Sequence, residues 1–391
     1  MKKVLIITSY FPPETGAASN RIHHLAEGLQ KNGFSVSVVT PLPNYPFGKI
    51  FLEYKGKFSQ TQVENDIKIH RLWLYASNSK NKVLRLFAML SYSLSLIWFF
   101  ITNKLPEKII IQSPPLIVAF TCMLFLSRKR QLILNVSDLW PFAGLELGAF
   151  KRNFSYRILE RIERFNCRKA TMVLGQSNEI LDHVSKLVPN KKVFLYRNYP
   201  DFAPPKLIEK AVIPSKIRLV YAGLLGVAQG IHKLCQHLDY SNIEFHIYGA
   251  GAETNAIRQF MTLNPDLPIV YHGEVKRTVL HNLLLEYDLT IIPLLKRIYG
   301  SVPSKIFEYS RLGLPILYFG GGEGEKIVME NDLGWVAESG NYDDLNTVLN
   351  EIVLEDLNMT LNCAIQRTAI ERFNFDVQNK KLIDILDIKN Q

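Results

Sequence analysis

The segment Ser301-Val302-Pro303-Ser304-Lys305-Ile306-Phe307-Glu308-Tyr309, closed by Gly313-Leu314-Pro315, carries the most informative chemistry in the chain. Pro303 suits a first helical turn and Gly313 suits its end. Lys305 and Glu308 are three residues apart and so share one helix face. A lysine there can neutralise a diphosphate, and a carboxylate can accept from both hydroxyls of a ribose; Ser304 stands beside them. The same spacing would equally serve a surface ion pair worth ~0.3 kcal/mol.

Two glycine turns point to the same kind of ligand. The strand Ile217–Ala222 runs into Gly223-Leu224-Leu225-Gly226-Val227-Ala228-Gln229-Gly230, and Tyr248-Gly249-Ala250-Gly251 follows the next strand. Glycines between a strand's carboxyl end and a helix start can cradle phosphate. The spacing is neither a dinucleotide fingerprint nor a Walker loop, so it indicates a nucleotide without naming one. In the first half, Pro12-Pro13-Glu14-Thr15-Gly16 opens a helix containing Arg21. Gly16 would let a substrate approach a helix N-terminus, although a plain tight turn reads the same way. Asp138, in Ser137-Asp138-Leu139-Trp140-Pro141 after a strand, sits where parallel sheets bind ligands, or else caps a helix.

These residues need two sheets to position them. Short apolar runs at 4–7, 36–39, 67–73, 108–111, 131–136 and 172–174 alternate with helical patterns, which predicts a parallel sheet covered on both faces. A proline-rich stretch from Asn198 to Pro205 separates this series from a second one at 217–222, 243–248, 269–271, 289–292 and 316–319. The predicted domains are 1–199, 200–368 and a final helix over 369–391 that packs back on the first domain. A chain of 391 residues accommodates two such cores.

A net charge of +10 favours polyanionic partners. No arginine-rich run, zinc-finger spacing or aromatic RNA-binding signature accompanies it, so phosphorylated small molecules or anionic lipid are expected and nucleic acid is not. Cys122, Cys167, Cys235 and Cys363 form no C-x-x-C, which fits a reducing cytoplasm. The absence of a three-glycine fingerprint argues against a nicotinamide or flavin cofactor, and no spacing of acids or histidines suggests a metal. None of the nine histidines is assigned a site role. The uncharged run 86–103, preceded by Lys80, Lys82 and Arg85, reads as a buried, interfacial or spanning helix. A second apolar run over 116–126, followed by Arg128-Lys129-Arg130, favours the interfacial reading.

In order and spacing these segments resemble the bacterial GT-B glycosyltransferases of family 4, in particular the branch that builds surface polysaccharide and O-antigen with N-acetyl-fucosamine-type sugars. The resemblance also rests on Pro43-Asn44-Tyr45-Pro46-Phe47-Gly48-Lys49. It implies an α/β GT-B fold with two Rossmann-like domains facing across a cleft. It further implies retaining, metal-independent transfer from a UDP-linked sugar to a lipid-linked acceptor in capsule or O-antigen synthesis. The enzyme would be cytoplasmic and peripheral on the inner face of an anionic membrane. Donor contacts would come from Gly223, Gly226, Gly249, Gly251, Lys276, Arg277, Ser304, Lys305 and Glu308, and acceptor contacts from Glu14, Gly16, Arg21, Asn44 and Tyr45. Asp138, Lys305 and Glu308 would be catalytic. Glu308 matches the second glutamate of the family's E-x7-E motif, while Gly300 stands in place of the first. That departure motivates an alternative, a catalytically silent GT-B chain that binds nucleotide or a partner subunit.

Overall fold

A computed structural model describes residues 2–79, 81–146, 148, 151–209 and 215–387. Lys80 and the last four residues of the expected final helix lie outside them. The chain forms two compact units: Met1–Asn198 with Ile298–Ser301 and Asp376–Gln391, and Tyr199–Arg297 with Val302–Phe375.

In the first unit the strands are β1 (Lys2–Ile7), β2 (Phe34–Pro41), β3 (Ser59–Glu64), β4 (Ile67–Leu72), β5 (Lys108–Ser113), β6 (Gln131–Val136), β7 (Met172–Gly175) and β8 (Val193–Leu195). Its helices are α1 (Ala17–Lys31), α2 (Lys82–Thr102), α3 (Leu116–Phe125), α4 (Phe142–Glu146), α5 (Phe154–Lys169) and α6 (Asn178–Leu187). The sheet order is β3-β4-β2-β1-β5-β6-β7-β8. All neighbours are parallel except β3, which pairs antiparallel with β4. Every residue of β6 is buried, as a strand covered on both faces requires. Tyr92, Leu96 and Phe99 of α2 join Val118 and Cys122 of α3 on one core. Ile22, Leu25 and Leu29 of α1 build the other.

The second unit holds β9 (Ile217–Ala222), β10 (Ile243–Tyr248), β11 (Ile269–Gly273), β12 (Leu289–Pro293), β13 (Ile316–Phe319) and β14 (Gly334–Val336). They form one sheet in the order β11-β10-β9-β12-β13-β14, parallel throughout. Helices α7 (Ile231–His237), α8 (Thr254–Leu263), α9 (Arg277–Leu284), α10 (Lys305–Arg311), α11 (Gly322–Glu330), α12 (Tyr342–Glu351) and α13 (Met359–Arg372) accompany it. The last helix, α14 (Phe375–Asp387), packs on the first unit, where Leu382 and Leu386 join Val4 and Ile6.

The structure shifts the expected boundaries. The final helical stretch is two helices, broken at Phe373-Asn374, and Ile365 and Ala369 of α13 belong to the core around Phe307 and Tyr309 of the second unit. Residues 298–301 belong to the first unit because Ser177 Oγ donates to Gly300 O at 2.8 Å and Gly300 N donates to Glu179 at 2.8 Å. In each sheet the strand order reverses beside the first strand, between β1 and β5 and between β9 and β12, and such switch points open a crevice at the carboxyl ends of the strands.

Candidate active site

In the second unit the crevice is built from glycine turns and α10. Gly223 N donates to Tyr248 O at 2.9 Å, and Leu225 N to Ala250 O at 3.0 Å, which ties the two turns together. A Cβ on Gly249 would lie 1.8 Å from Gly223 O, and one on Gly251 would lie 2.4 Å from Leu225 O. Both positions therefore demand glycine for turn-to-turn packing. Gly249 N donates to Gly273 O at 2.7 Å and Gly251 N to Thr254 Oγ1 at 3.0 Å. This corrects the expected cradle, because the N–H groups of Gly223, Gly249 and Gly251 are satisfied inside the protein. Glu253 also accepts from His232 N at 3.1 Å, so a carboxylate already stands at the start of α7. Gly226 closes the first turn, accepting from Gln229 N at 3.0 Å.

Gly223 has a second role, since a Cβ there would lie 2.9 Å from Lys305 Cε. The missing side chain leaves room for Lys305, whose Nζ lies 3.2 Å from Tyr309 Oη and 5.1 Å above the Tyr309 ring. Tyr309 is fully buried and donates to Ala222 O, the last carbonyl of β9, at 3.0 Å. This tyrosine fixes the lysine at the carboxyl end of β9. Ser304 is the residue before α10, and its carbonyl accepts from Phe307 N and Glu308 N.

Glu308 does not turn to Lys305. Its Oε1 accepts from His281 Nε2 at 2.7 Å and from Arg277 Nε at 3.2 Å. Burial pushes this carboxyl up, but the His281 hydrogen bond and the charges of Lys305 and Arg277 outweigh it and hold the pKa at about 2. Arg277, expected among the donor contacts, pairs instead with Glu308, and Lys276 is an exposed residue at the start of α9. His281 was unassigned by the sequence, and no spacing announces it. A third glycine turn, Gly320-Gly321-Gly322 after β13, was also missed although three consecutive glycines mark it.

In the first unit, Asp138 follows β6 and lies near Arg21 of α1, two residues the sequence treated separately. Asp138 Oδ2 is 3.4 Å from Ser137 Oγ, and Arg21 Nη1 donates to Gln176 Oε1 at 2.8 Å. Gln176 in turn donates to Ser137 O. Burial raises the Asp138 carboxyl above the usual range against the pull of Arg21 and Ser137, and burial likewise lowers the Arg21 guanidinium.

Glu14 is corrected from an acceptor ligand to a loop clasp. Its Oε1 accepts from Asn44 N at 2.7 Å, Tyr45 N at 2.8 Å and Asn44 Nδ2 at 3.4 Å, and Glu14 is 2% exposed. Burial raises its carboxyl, opposed by the backbone N–H groups of Asn44, Tyr45 and Phe11 and by Arg71. The clasp sets Tyr45 against Tyr10, with ring centroids 5.5 Å apart, beside Gly16 at the start of α1. Among the described residues no group of three or more His, Cys, Asp or Glu is placed to hold a metal.

Two protein-family profiles match the chain, a glycosyl transferase 4-like domain over residues 16–198 and glycosyl transferases group 1 over residues 215–354. No curated protein matches. Among solved structures, sucrose-phosphate synthase from Thermosynechococcus elongatus is similar at a TM-score of 0.75 and 11% identity, covering 99% of this chain and 98% of that one. Anabaena HepE in complex with UDP and glucose is similar at 0.66 and 13%, covering 99% of each. A variant of S. aureus TarM in complex with fondaparinux, alpha-GlcNAc-glycerol and UDP is similar at 0.67 and 10%, covering 99% and 100%. These identities speak for the fold, two Rossmann-like units. With one profile on each unit, the chain belongs to the GT-B glycosyltransferases.

Proposed function

We propose that the chain transfers a sugar, an N-acetylated deoxy-aminosugar being the expected type, from a UDP-linked donor to a lipid-linked acceptor in surface-polysaccharide synthesis. The observation that carries the donor side is the pairing at the β9–β12 crevice of a lysine fixed over Gly223 with a glutamate kept ionised by His281 and Arg277. Lys305 takes the diphosphate charge and Glu308 accepts from the ribose hydroxyls. HepE and TarM, which share the fold, are complexes with UDP, and this supports UDP as the donor nucleotide.

Transfer proceeds with retention and without metal. The bond from the anomeric carbon to the diphosphate breaks while the acceptor oxygen bonds on the same face, and the leaving phosphate takes the acceptor proton. Lys305, preorganised by Tyr309, stabilises the charge that grows on the diphosphate. Asp138 orients the acceptor hydroxyl or the donor sugar from the first unit, with Tyr45 and Gly16 on the acceptor side. The enzyme works as a peripheral protein on the cytoplasmic face of an anionic membrane.

One observation favours a second reading. Gly300 stands where the family's first glutamate is expected, and a Cβ there would meet Ile180 at 2.9 Å. A catalytically silent nucleotide binder would show this. A panel of nucleotide sugars tested for protection against thermal unfolding, followed by turnover on a lipid-linked acceptor, separates the two. The transferase reading expects one UDP-sugar to protect and to turn over. Protection without turnover on any acceptor supports the silent reading, and no protection by any nucleotide sugar overturns both.

A further inference from the structure

One face of the first sheet is covered by α2, α3 and α5, and this layer carries two stripes of different character. In α2, Tyr92, Leu96 and Phe99 fall at i, i+4 and i+7 and are buried, and Tyr92 Oη donates to Thr8 O at 2.9 Å. On the opposite side of the same helix Phe87, Leu90, Leu94, Trp98 and Ile101 are 56%, 44%, 68%, 69% and 73% exposed. A helix whose outer side met only water would be polar there. At 21 residues α2 is about 31 Å long at ~1.5 Å per residue, enough to cross a bilayer. Its inner side, however, is committed to the sheet, so lipid cannot surround it.

Two helices away the stripe changes sign. Arg157, Arg161, Arg164 and Arg168 of α5 fall at i, i+4, i+7 and i+11 on one helix face, and all four are exposed. Among the described residues no ion pair joins any of them to a carboxylate. Between the two stripes, α3 ends in exposed Leu124 and Phe125, followed by exposed Arg128 and Lys129.

We propose that this layer docks the chain on an anionic lipid bilayer, with α2 lying in the headgroup–acyl boundary and the α5 arginines over headgroup phosphates. An apolar stripe beside a basic one matches the layering of a membrane surface, with hydrocarbon next to phosphate. A nucleic acid would satisfy the arginines and leave α2 in water. The inference deepens the membrane part of the proposed function and rests on it only for the site of the acceptor.

The test floats the full chain with phosphatidylcholine vesicles and with vesicles also containing phosphatidylglycerol, at low and high salt. Wild type should bind the anionic vesicles, more weakly at high salt, and brominated acyl chains should quench Trp98. Arg161→Gln with Arg164→Gln should weaken binding about 30-fold, at roughly fivefold per charge. Leu94→Ser with Ile101→Ser should abolish the quenching while melting temperature and circular dichroism stay near wild type. Turnover on a soluble acceptor should match wild type in both variants; absence of turnover in wild type that still binds vesicles would count against the transferase and not against the docking face. Unchanged binding by the arginine variant overturns the proposal. So does a lipid-free dimer that Leu94→Ser dissociates, which would make the stripe an interface between copies, or binding of duplex DNA in place of vesicles.

Discussion

Asp138 in the first unit and Glu308 in the second are carboxylates withdrawn from water, and they respond in opposite directions. Burial is the largest influence on both, and it favours the neutral form. Asp138 meets one guanidinium, itself buried and hydrogen-bonded to Gln176, and one hydroxyl, and its pKa rises. Glu308 receives direct hydrogen bonds from His281 and Arg277 and the field of Lys305, and its pKa falls to about 2. The difference lies in how many cationic donors reach the carboxylate, and it assigns different work. Glu308 is held in its ionised form, which can accept from hydroxyls, while the Asp138 carboxyl is pushed toward its neutral form.

The largest expected effect breaks the comparison on the first unit's side. Asp138→Asn should lower turnover by roughly 10²-fold or more, the cost of letting a reacting group shift by about 1 Å. Binding of nucleoside diphosphate should stay within about twofold. Calorimetry with the free nucleotide and a turnover assay decide it. Equal loss of both with the fold retained would move Asp138 to the donor.

Stability against pH exposes the opposite signs directly. Glu308 has its folded pKa depressed from 4.5 to about 2, so its contribution is present above 4.5 and is lost as pH falls toward 2. The shift corresponds to about 3 kcal/mol, which Glu308→Gln should forfeit at neutral pH and not at pH 2. Asp138 has its folded pKa raised above 3.8, so wild type loses stability as pH climbs from there through the folded value. Asp138→Asn should therefore be more stable than wild type at neutral pH, with the gain fading below pH 4. Urea melts of both variants from pH 2 to pH 7 test this, and a shared sign would collapse the contrast.

Ligand discrimination tests the binding half. A hydrogen bond to a charged group contributes ~1.5–3 kcal/mol, so Glu308→Gln should weaken nucleoside diphosphate binding roughly 10- to 150-fold. The 2′,3′-dideoxy analogue should bind wild type weakly and lose almost nothing further on mutation. Equal weakening of both ligands would make Glu308 a support for its own surroundings.

The contrast was only partly legible in the sequence. Runs such as Val4 to Ile7, fully apolar, and Leu289 to Ile292, apolar but for Thr290, mark strands buried on both faces, and they point to the two-sheet fold. Ser59–Glu64, which reads SQTQVE, carries one apolar residue because it is an edge strand exposed over most of its length. The glycines of the second unit were visible as turns, but whether a glycine faces ligand or another backbone is a three-dimensional fact. For Gly249 the neighbour is Gly223 O. Lys305 and Glu308 are legible as a candidate pair because their spacing is local. Their partners were hidden, since His281 lies 27 residues from Glu308 in sequence and Arg21 lies far from Asp138, and no periodicity links residues on different elements.

The smallest effect asks which partner of Glu308 sets its charge. Arg277 has a 47% exposed side chain and a 3.2 Å contact, whereas His281 is 18% exposed with a 2.7 Å contact. An ion pair open to solvent contributes ~0.2–1 kcal/mol and is screened by salt, so Arg277→Ala should weaken nucleotide binding by about fivefold or less, and less again at 0.5 M salt. His281→Ala removes a shorter, more enclosed hydrogen bond and leaves part of a buried carboxylate unpaired, which should cost more and respond little to salt. His281→Gln restores a donor without a full charge and should recover part of the loss. Titrating the three variants at low and high salt ranks the partners. If Arg277→Ala proved the costlier and the more salt-sensitive, the anion at Glu308 would be held by long-range charge, and the contrast with Asp138 would reduce to net charge instead of hydrogen-bond geometry.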